Sequence, residues 1–194
     1  MAEEIELIQS AQKGDRDAFR TLVERYKKNV YYFAFDMTGN HQDAEDLSQE
    51  VFIKMFKSLK SFKMKSKLSY WLYRITLNTY LSQKRTGREI LRKQQNSLEE
   101  IQNKFVDSCD TNEPGKAVEQ AIMQAHVKTA LQKLSPKERA VFVMRHYQDL
   151  KVNEIAQALK IASGSVKSML FRSLIKLENY LQFYKKEYAK EINP

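Results

Sequence analysis

Apolar residues recur along this chain at spacings of three and four, the period of a helix that buries one face. Phe19, Leu22, Val23 and Tyr26 follow Asp15 and Asp17, either of which can cap a helix start. The run continues through "NVYYFAFDMTG" and stops near Gly39, the residue type that most readily closes a helix. Asn40 can cap the next helix with Asp43 three residues on, and Ala44, Leu47, Val51, Met55 and Leu59 draw one apolar stripe along it. A shorter amphipathic helix over about Ile5–Lys13 precedes both. Further on, "LSPKERAVF" is a helix start, with Ser135 as cap, Pro136 in the first turn and Glu138 closing the box. A short helix over about Val152–Leu159, a turn at Lys160–Ala162 and a helix from Ser163 or Gly164 to about Leu181 complete the pattern. Ile155, Ala156 and Leu159 form the inner face of the first of these, and Val166, Leu170, Leu174 and Leu177 that of the second. Two helices crossing over a small residue such as Ala156 make a helix-turn-helix. No strand-like alternation or Asn-Gly hairpin signal interrupts the series, so the fold class is all-α.

The helices fall into two groups. Between them, residues 87–116 are polar and contain the chain's only Pro-Gly step. The organisation expected is two small helical domains, 1–86 and 117–194, joined by a flexible linker over 87–116 whose first part extends the preceding helix. Charge follows the same division. The first segment holds 15 bases and 11 acids, the linker 5 and 6, the last segment 13 and 7, and the whole chain is at +9. Two basic lobes on a faintly acidic connector favour a nucleic-acid partner over an acidic small molecule. The single cysteine, Cys109, cannot form an internal disulfide. The acidic opening residues differ from a secretion signal and no apolar run reaches ~18 residues, so the expected location is cytoplasmic, without membrane insertion.

Three clusters carry candidate chemistry. Residues 51–85 contain nine Lys or Arg and no acid, interleaved with aromatics. Phe62, Lys63, Lys65, Lys67, Tyr70, Arg74, Lys84 and Arg85 are its candidate contacts to a polyanion whose bases can stack, where rings stack on bases and cations neutralise phosphates. At least half of the surrounding rings must be core, and periodicity cannot sort them. Asp43, Asp46 and Glu50, spaced three and four apart, form an acidic stripe that can dock a basic partner. Equally, acids at a helix start with Lys54, Lys57 and Lys60 at its end complement the helix dipole, and Glu50 with Lys54 is a favourable pair. On the last helix, Ser165, Lys167, Ser168, Phe171 and Arg172 lie opposite the inner face near the N-terminus, where they can reach phosphates and base edges in a major groove. Nucleophile–base pairs, phosphate-cradling Gly loops and Cys/His metal spacings are missing, so neither an enzyme, a cofactor nor a metal is expected.

The segments "GDRDAFRTLVERY", "GNHQDAEDLSQEVFIKMF", "SYWLYRITLNTYLSQKR", "LQKLSPKERAVFVMRHYQDLKVNEIAQAL" and "SGSVKSMLFRSLIKLENYL", in that order, resemble the extracytoplasmic-function (ECF) sigma factors of bacterial RNA polymerase over nearly the whole chain. The resemblance implies that the Asp43/Asp46/Glu50 helix contacts the clamp helices of core RNA polymerase. It implies that the first lobe recognises and opens the minus-ten promoter element, with the loop at about Phe62–Leu68 capturing a flipped non-template base and Asn78 meeting that strand. The last lobe would read the duplex minus-thirty-five element, and the linker would thread the polymerase near its active site and RNA exit. An anti-sigma factor that releases the protein on a stress or envelope signal is implied as well.

Three positions depart from the family's habits. Lys160 stands where a Gly often turns the motif, Lys151 replaces the usual Ser or Thr cap, and Met169 replaces a frequent Arg. The loop "KMKSK" lacks the acidic or Gly residues common there. The alternative reading is a two-domain helix-turn-helix repressor that acts without core polymerase.

Overall fold

The computed structural model of the chain describes residues 2–94 and 116–182. Eight α-helices occur among them: α1 (Ala2–Lys13), α2 (Arg16–Thr38), α3 (His41–Ser58), α4 (Leu68–Gln94), α5 (Lys116–Lys133), α6 (Pro136–His146), α7 (Val152–Leu159) and α8 (Ser163–Tyr180), with a 3₁₀ turn at Leu59–Ser61. The expected linker begins inside α4, which runs on to Gln94, while Cys109 and the Pro-Gly step lie outside the described residues.

Local chemistry explains the boundaries. Asp15 caps α2 by accepting from the amides of Asp17 and Ala18 at 2.9 and 3.1 Å. Gly39 ends it at φ 85°, donating to the Phe35 carbonyl at 2.8 Å. Asn40 then accepts from the Asp43 amide at 2.7 Å to start α3. Ser135 and Glu138 form the expected capping box at the start of α6. α1 starts three residues earlier than the apolar pattern suggests, because Glu3 and Glu4 reach across to Arg25 and Tyr26 of α2.

The first lobe, α1 to α4, is built around α2. Leu22, Val30, Phe33, Ala34 and Met37 of α2 meet the α3 stripe of Ala44, Leu47, Val51 and Met55, and all nine side chains are fully buried. In the second lobe α8 packs on α6 and α7 and buries Val166, Ser173 and Leu177. Leu174 was expected on that inner face and instead lies on the surface, 49% exposed. At 3.6 residues per turn the buried line steps from 170 to 173 to 177. The small Ser173, folded back onto the Leu170 carbonyl at 2.7 Å, occupies the contact.

The lobes pack against each other, which the sequence pattern did not suggest. Ala140, Val141, Val143, Met144, Ile155, Ala156 and Val166 belong to the same buried cluster as the aromatic residues of α4. Arg139 crosses the boundary. Only 3% exposed, it donates from Nη1 to the Met37 carbonyl at the end of α2, and at 3.4 Å to the Tyr80 hydroxyl on α4. It also donates to the carbonyls of Leu131, Gln132 and Leu134 at 2.8–3.3 Å and to Gln132 Oε1 at 2.5 Å. Gln132 itself donates to the Asp36 carbonyl at 3.3 Å. Gly39 suits the left-handed φ of 85°, and a Cβ there would come within 2.8 Å of the Gln132 side chain and displace its end.

Asp36 sits at this boundary, where its charge raises the Tyr147 hydroxyl that burial has already raised. Burial pushes the Asp36 carboxyl up from 3.8 to about 7. The fold therefore favours its protonated form, a contribution complete below about pH 4 and lost as pH rises through about 7. Asp36→Asn should remove that dependence. In thermal melts from pH 4 to 8 the wild type should lose stability relative to the variant as pH rises, by more than the ~2–4 °C that 1 kcal/mol gives at this size. Parallel curves would contradict the burial account.

Candidate nucleic-acid interface

The stretch from Phe62 to Arg85 enters α4 through a short loop. Phe62 and Tyr70, both expected to meet DNA, are each only 6% exposed. Phe62 packs on Trp71 with ring centroids 5.0 Å apart, and its carbonyl accepts from Gln12 of α1 at 2.9 Å. Tyr70 is turned against the second lobe, donating to Glu154 Oε1 at 2.5 Å. Neither ring faces solvent in this arrangement. The cations behave differently. Lys63, Lys65, Lys67, Lys84 and Arg85 are exposed, as is Asn78, and Arg74 is half-buried. Met64, between the loop lysines, has φ 52°. A methionine in the left-handed region costs roughly 1–2 kcal/mol relative to an ordinary conformation, so the loop is held in a strained shape.

The acidic stripe divides on inspection. Asp43 is taken up by its cap, accepting from Asn40 Nδ2 at 2.6 Å. Glu50 pairs with Lys54 at 2.7 Å and accepts from Gln83 of α4 at 2.7 Å. The bond to Lys54 first, with that to Gln83, holds its carboxyl below the usual range against the opposing effect of burial. An exposed pair of this kind contributes about 0.3–0.5 kcal/mol. Asp46 is exposed. Below it on the same face lie Ile53 and Phe56, 54% and 63% exposed, so the stripe runs from acidic to apolar. Beside it a cleft of about 390 Å³ between α2 and α3 is lined by Tyr31, Tyr32, Glu45, Gln49 and Phe52 among others. The sequence reading did not include these apolar residues. The signal was present in the spacing 46, 50, 53, 56, opposite the core stripe 47, 51, 55.

On α8, Ser165, Lys167, Ser168, Phe171 and Arg172 are all exposed, as the helical wheel requires. Phe171 is 66% exposed, a large apolar surface for one ring. Arg172 Nε lies 3.3 Å from Glu138 Oε1, and Lys176 Nζ is 2.7 Å from Glu138 Oε2. Burial alone would raise the Glu138 carboxyl, but Lys176 and Ser135 together bring it down to about 2. Glu138 thus joins the start of α6 to the middle of α8 and holds Arg172 beside the exposed face of Lys167, Ser168 and Phe171.

The turn between α7 and α8 carries the departures noted above. Lys160 is left-handed at φ 55°, ψ 48°, and its amide caps the Ala156 carbonyl. Lysine has no acceptor, so at Lys151 only half of a capping box forms, with Glu154 accepting the Lys151 amide at 2.8 Å. Among the described residues no three His, Cys, Asp or Glu side chains come together to hold a metal. None of the described helices is long and apolar enough to cross a membrane.

Comparison with known proteins agrees with this layout. The family model for Sigma-70 region 2 matches residues 22–90 and that for Sigma-70, region 4 matches residues 124–177. The ECF RNA polymerase sigma factor SigW of Bacillus subtilis is 31% identical over 177 residues, covering 90% of this chain and 95% of that protein. The ECF RNA polymerase sigma factor SigE of Mycolicibacterium smegmatis is 32% identical over 179 residues, covering 91% and 67%. Two solved structures share the fold at 22% identity. They are the sigma factor RpoE in complex with the anti-sigma factor NepR from Bartonella quintana, with a TM-score of 0.65 over 84% of this chain and 96% of that one, and CnrH in complex with the cytosolic domain of CnrY, with a TM-score of 0.64 over 94% and 98%. The chain belongs to the ECF sigma factors of RNA polymerase. The reading as a repressor that works without polymerase falls away.

Replacing Lys160 by glycine removes the left-handed penalty without touching the candidate face of α8. Lys160→Gly should raise unfolding stability by about 1 kcal/mol in urea titrations. No change, or a loss, would show that the lysine side chain has a compensating contact.

Proposed function

We propose that this chain directs promoter-specific initiation by binding bacterial core RNA polymerase through α3 and placing one lobe on each promoter element. The observation that carries the reading is the separation of three surfaces of different chemistry on one small fold. The acidic and apolar face at Asp46, Glu50, Ile53 and Phe56 suits a partner helix with basic and apolar residues. Lys63, Lys65, Lys67, Arg74, Asn78, Lys84 and Arg85 form the basic border along which a melted minus-ten strand would run. Ser165, Lys167, Ser168, Phe171 and Arg172 offer hydroxyls, cations and a flat ring to a minus-thirty-five major groove.

The protein works in this role by binding and positioning, with no chemical step of its own, and its place is the cytoplasm with the transcription machinery. An anti-sigma factor is the natural regulator. Two related folds were solved with such partners, and the apolar surfaces at Phe171, Leu174 and Ile175 give one a foothold on α8.

The test is run-off transcription on a library of promoter fragments, with and without core polymerase, using the wild type and Asp46→Lys combined with Glu50→Lys. Specific transcripts should arise only with core polymerase present. The double variant should lose polymerase affinity at moderate salt, by ~1–3 kcal/mol if these charges face basic partners, while keeping its melting curve. Normal assembly of that variant would remove the stripe from the docking surface.

A further inference from the structure

Arg172, on the exposed face of α8, is anchored from behind. Its Nε lies 3.3 Å from Glu138 Oε1, while its side chain stays 56% exposed. Contact at Nε, the nitrogen nearest the chain, leaves the edge formed by the two terminal nitrogens for a second partner. That edge matches a guanine or a phosphate in two parallel bonds.

The anchor is itself fixed. Glu138 is the third residue of α6 and only 5% exposed. Its Oε2 accepts from the Ser135 amide at 3.2 Å, the Ser135 hydroxyl at 2.8 Å and Lys176 at 2.7 Å, and Oε1 is turned to Arg172. Burial raises the carboxyl, but Lys176 and Ser135 bring it down to about 2, so it is charged at neutral pH. The next residue, Arg139, is buried and donates to the carbonyls of Leu131, Gln132 and Leu134, which ties the start of α6 to the end of α5. α6 in turn packs along α8. Arg172 therefore projects from one helix and is braced on the capped start of another.

Stability is a poor reason for the brace. An ion pair whose cation is more than half exposed is screened by water and adds little, and Glu138 already has Lys176 as a counter-ion. Orientation is a better reason. A loose arginine on a helix meets whichever phosphate is near, and such contacts carry no sequence information. An arginine held at Nε has less rotamer freedom to lose on binding and presents its fork at one angle. The carboxylate behind it also offsets part of its charge, which weakens sequence-independent attraction to phosphates.

We propose that Glu138 is a positioning residue for reading the upstream promoter element: it holds the Arg172 fork at a fixed angle, so that Arg172 discriminates at one base pair. The proposal rests on the sigma-factor reading of the α8 face and adds to it a buried residue that touches no DNA.

The experiment uses the full chain assembled with bacterial core polymerase, and counts transcripts from a promoter library randomised across the upstream element. The wild type, Glu138→Gln, Arg172→Ala and the double variant are compared, with thermal melts as the check on folding. Glutamine at the third helix position still completes a capping box, so Glu138→Gln removes the charge and keeps the cap. Arg172→Ala should abolish preference at one base pair. Glu138→Gln should lower preference at that same base pair by about tenfold, with other positions within about twofold. In the Arg172→Ala background Glu138→Gln should change nothing further, because its effect passes through the arginine. Preference left intact by either single variant would overturn the proposal. So would an equal loss with and without Arg172, or a loss spread over all positions, each the mark of a merely structural role. A second measurement carries the test if Glu138→Gln unfolds: nitrogen-15 relaxation of the arginine Nε–H groups in the wild-type chain without polymerase. Arg172 should be nearly as ordered as the buried Arg139, and an Arg172 as mobile as the exposed Arg16 would overturn the brace. Absence of core-dependent transcripts from the wild type would remove the sigma reading instead. The four proteins are then compared on duplexes selected from a random pool by the chain alone, and a chain that selects none would overturn both.

Discussion

A single buried cation holds the two lobes in their observed relation. The Arg139 guanidinium uses all three nitrogens and faces no carboxylate. Removing such a charge from water without a counter-ion costs several kcal/mol unless its donors are saturated. Here they are saturated by backbone carbonyls at the C-terminal ends of α2 and α5, together with Gln132 and Tyr80. Helix C-termini supply unpaired carbonyls and the negative end of the dipole, so the ends of two helices substitute for an acid. The consequence is geometric. α2 and α4 of the first lobe and α5 and α6 of the second must converge on one point, and α7 is thereby brought over the start of α4.

Much of the fold was legible in the chain because its helices announce their ends. Asp15, Gly39, Asn40 and Ser135 each do what their side chains or backbone allow, and the core stripe of α3 is buried as its spacing requires. What was not legible was the destination of the all-round apolar helix. Tyr70, Trp71, Leu72 and Tyr73 are consecutive, and at 100° per residue they cannot all point to one face of the helix. Periodicity offers no way to choose between a partner lobe and a stacked base. Arg139 was hidden for a related reason. In the capping sequence "SPKER" a cation reads as solvated, and only the three-dimensional meeting of two helix ends shows why it is inside. Leu174 was misplaced by a single step, because a four-residue stripe on α8 ignores the small Ser173 that fits closer.

The same features that depart from the family's habits are where local preference is sacrificed. Lys160 and Met64 adopt left-handed conformations without glycine, and Lys151 starts α7 without a side-chain cap. α7 is thus an eight-residue helix with a weak start and a strained end, held in place chiefly by its buried face. An element of low intrinsic stability, held mainly by its buried face, is among the first to open locally. The strained loop at Met64 and the weak helix opposite it are two sides of one contact, tied by the Gln157 bond to Lys65.

The most direct measurement is the distance between the lobes in solution. Spin labels at Glu6 on α1 and Asn179 on α8, in a chain with Cys109 replaced by serine, report it by pulsed electron resonance. The account expects one narrow distance for the free protein and a second, clearly longer one when core polymerase is added. The same broad distribution in both samples would contradict it, showing that the lobes are never held together and that Arg139 and the α4–α7 contacts do not govern the protein's state.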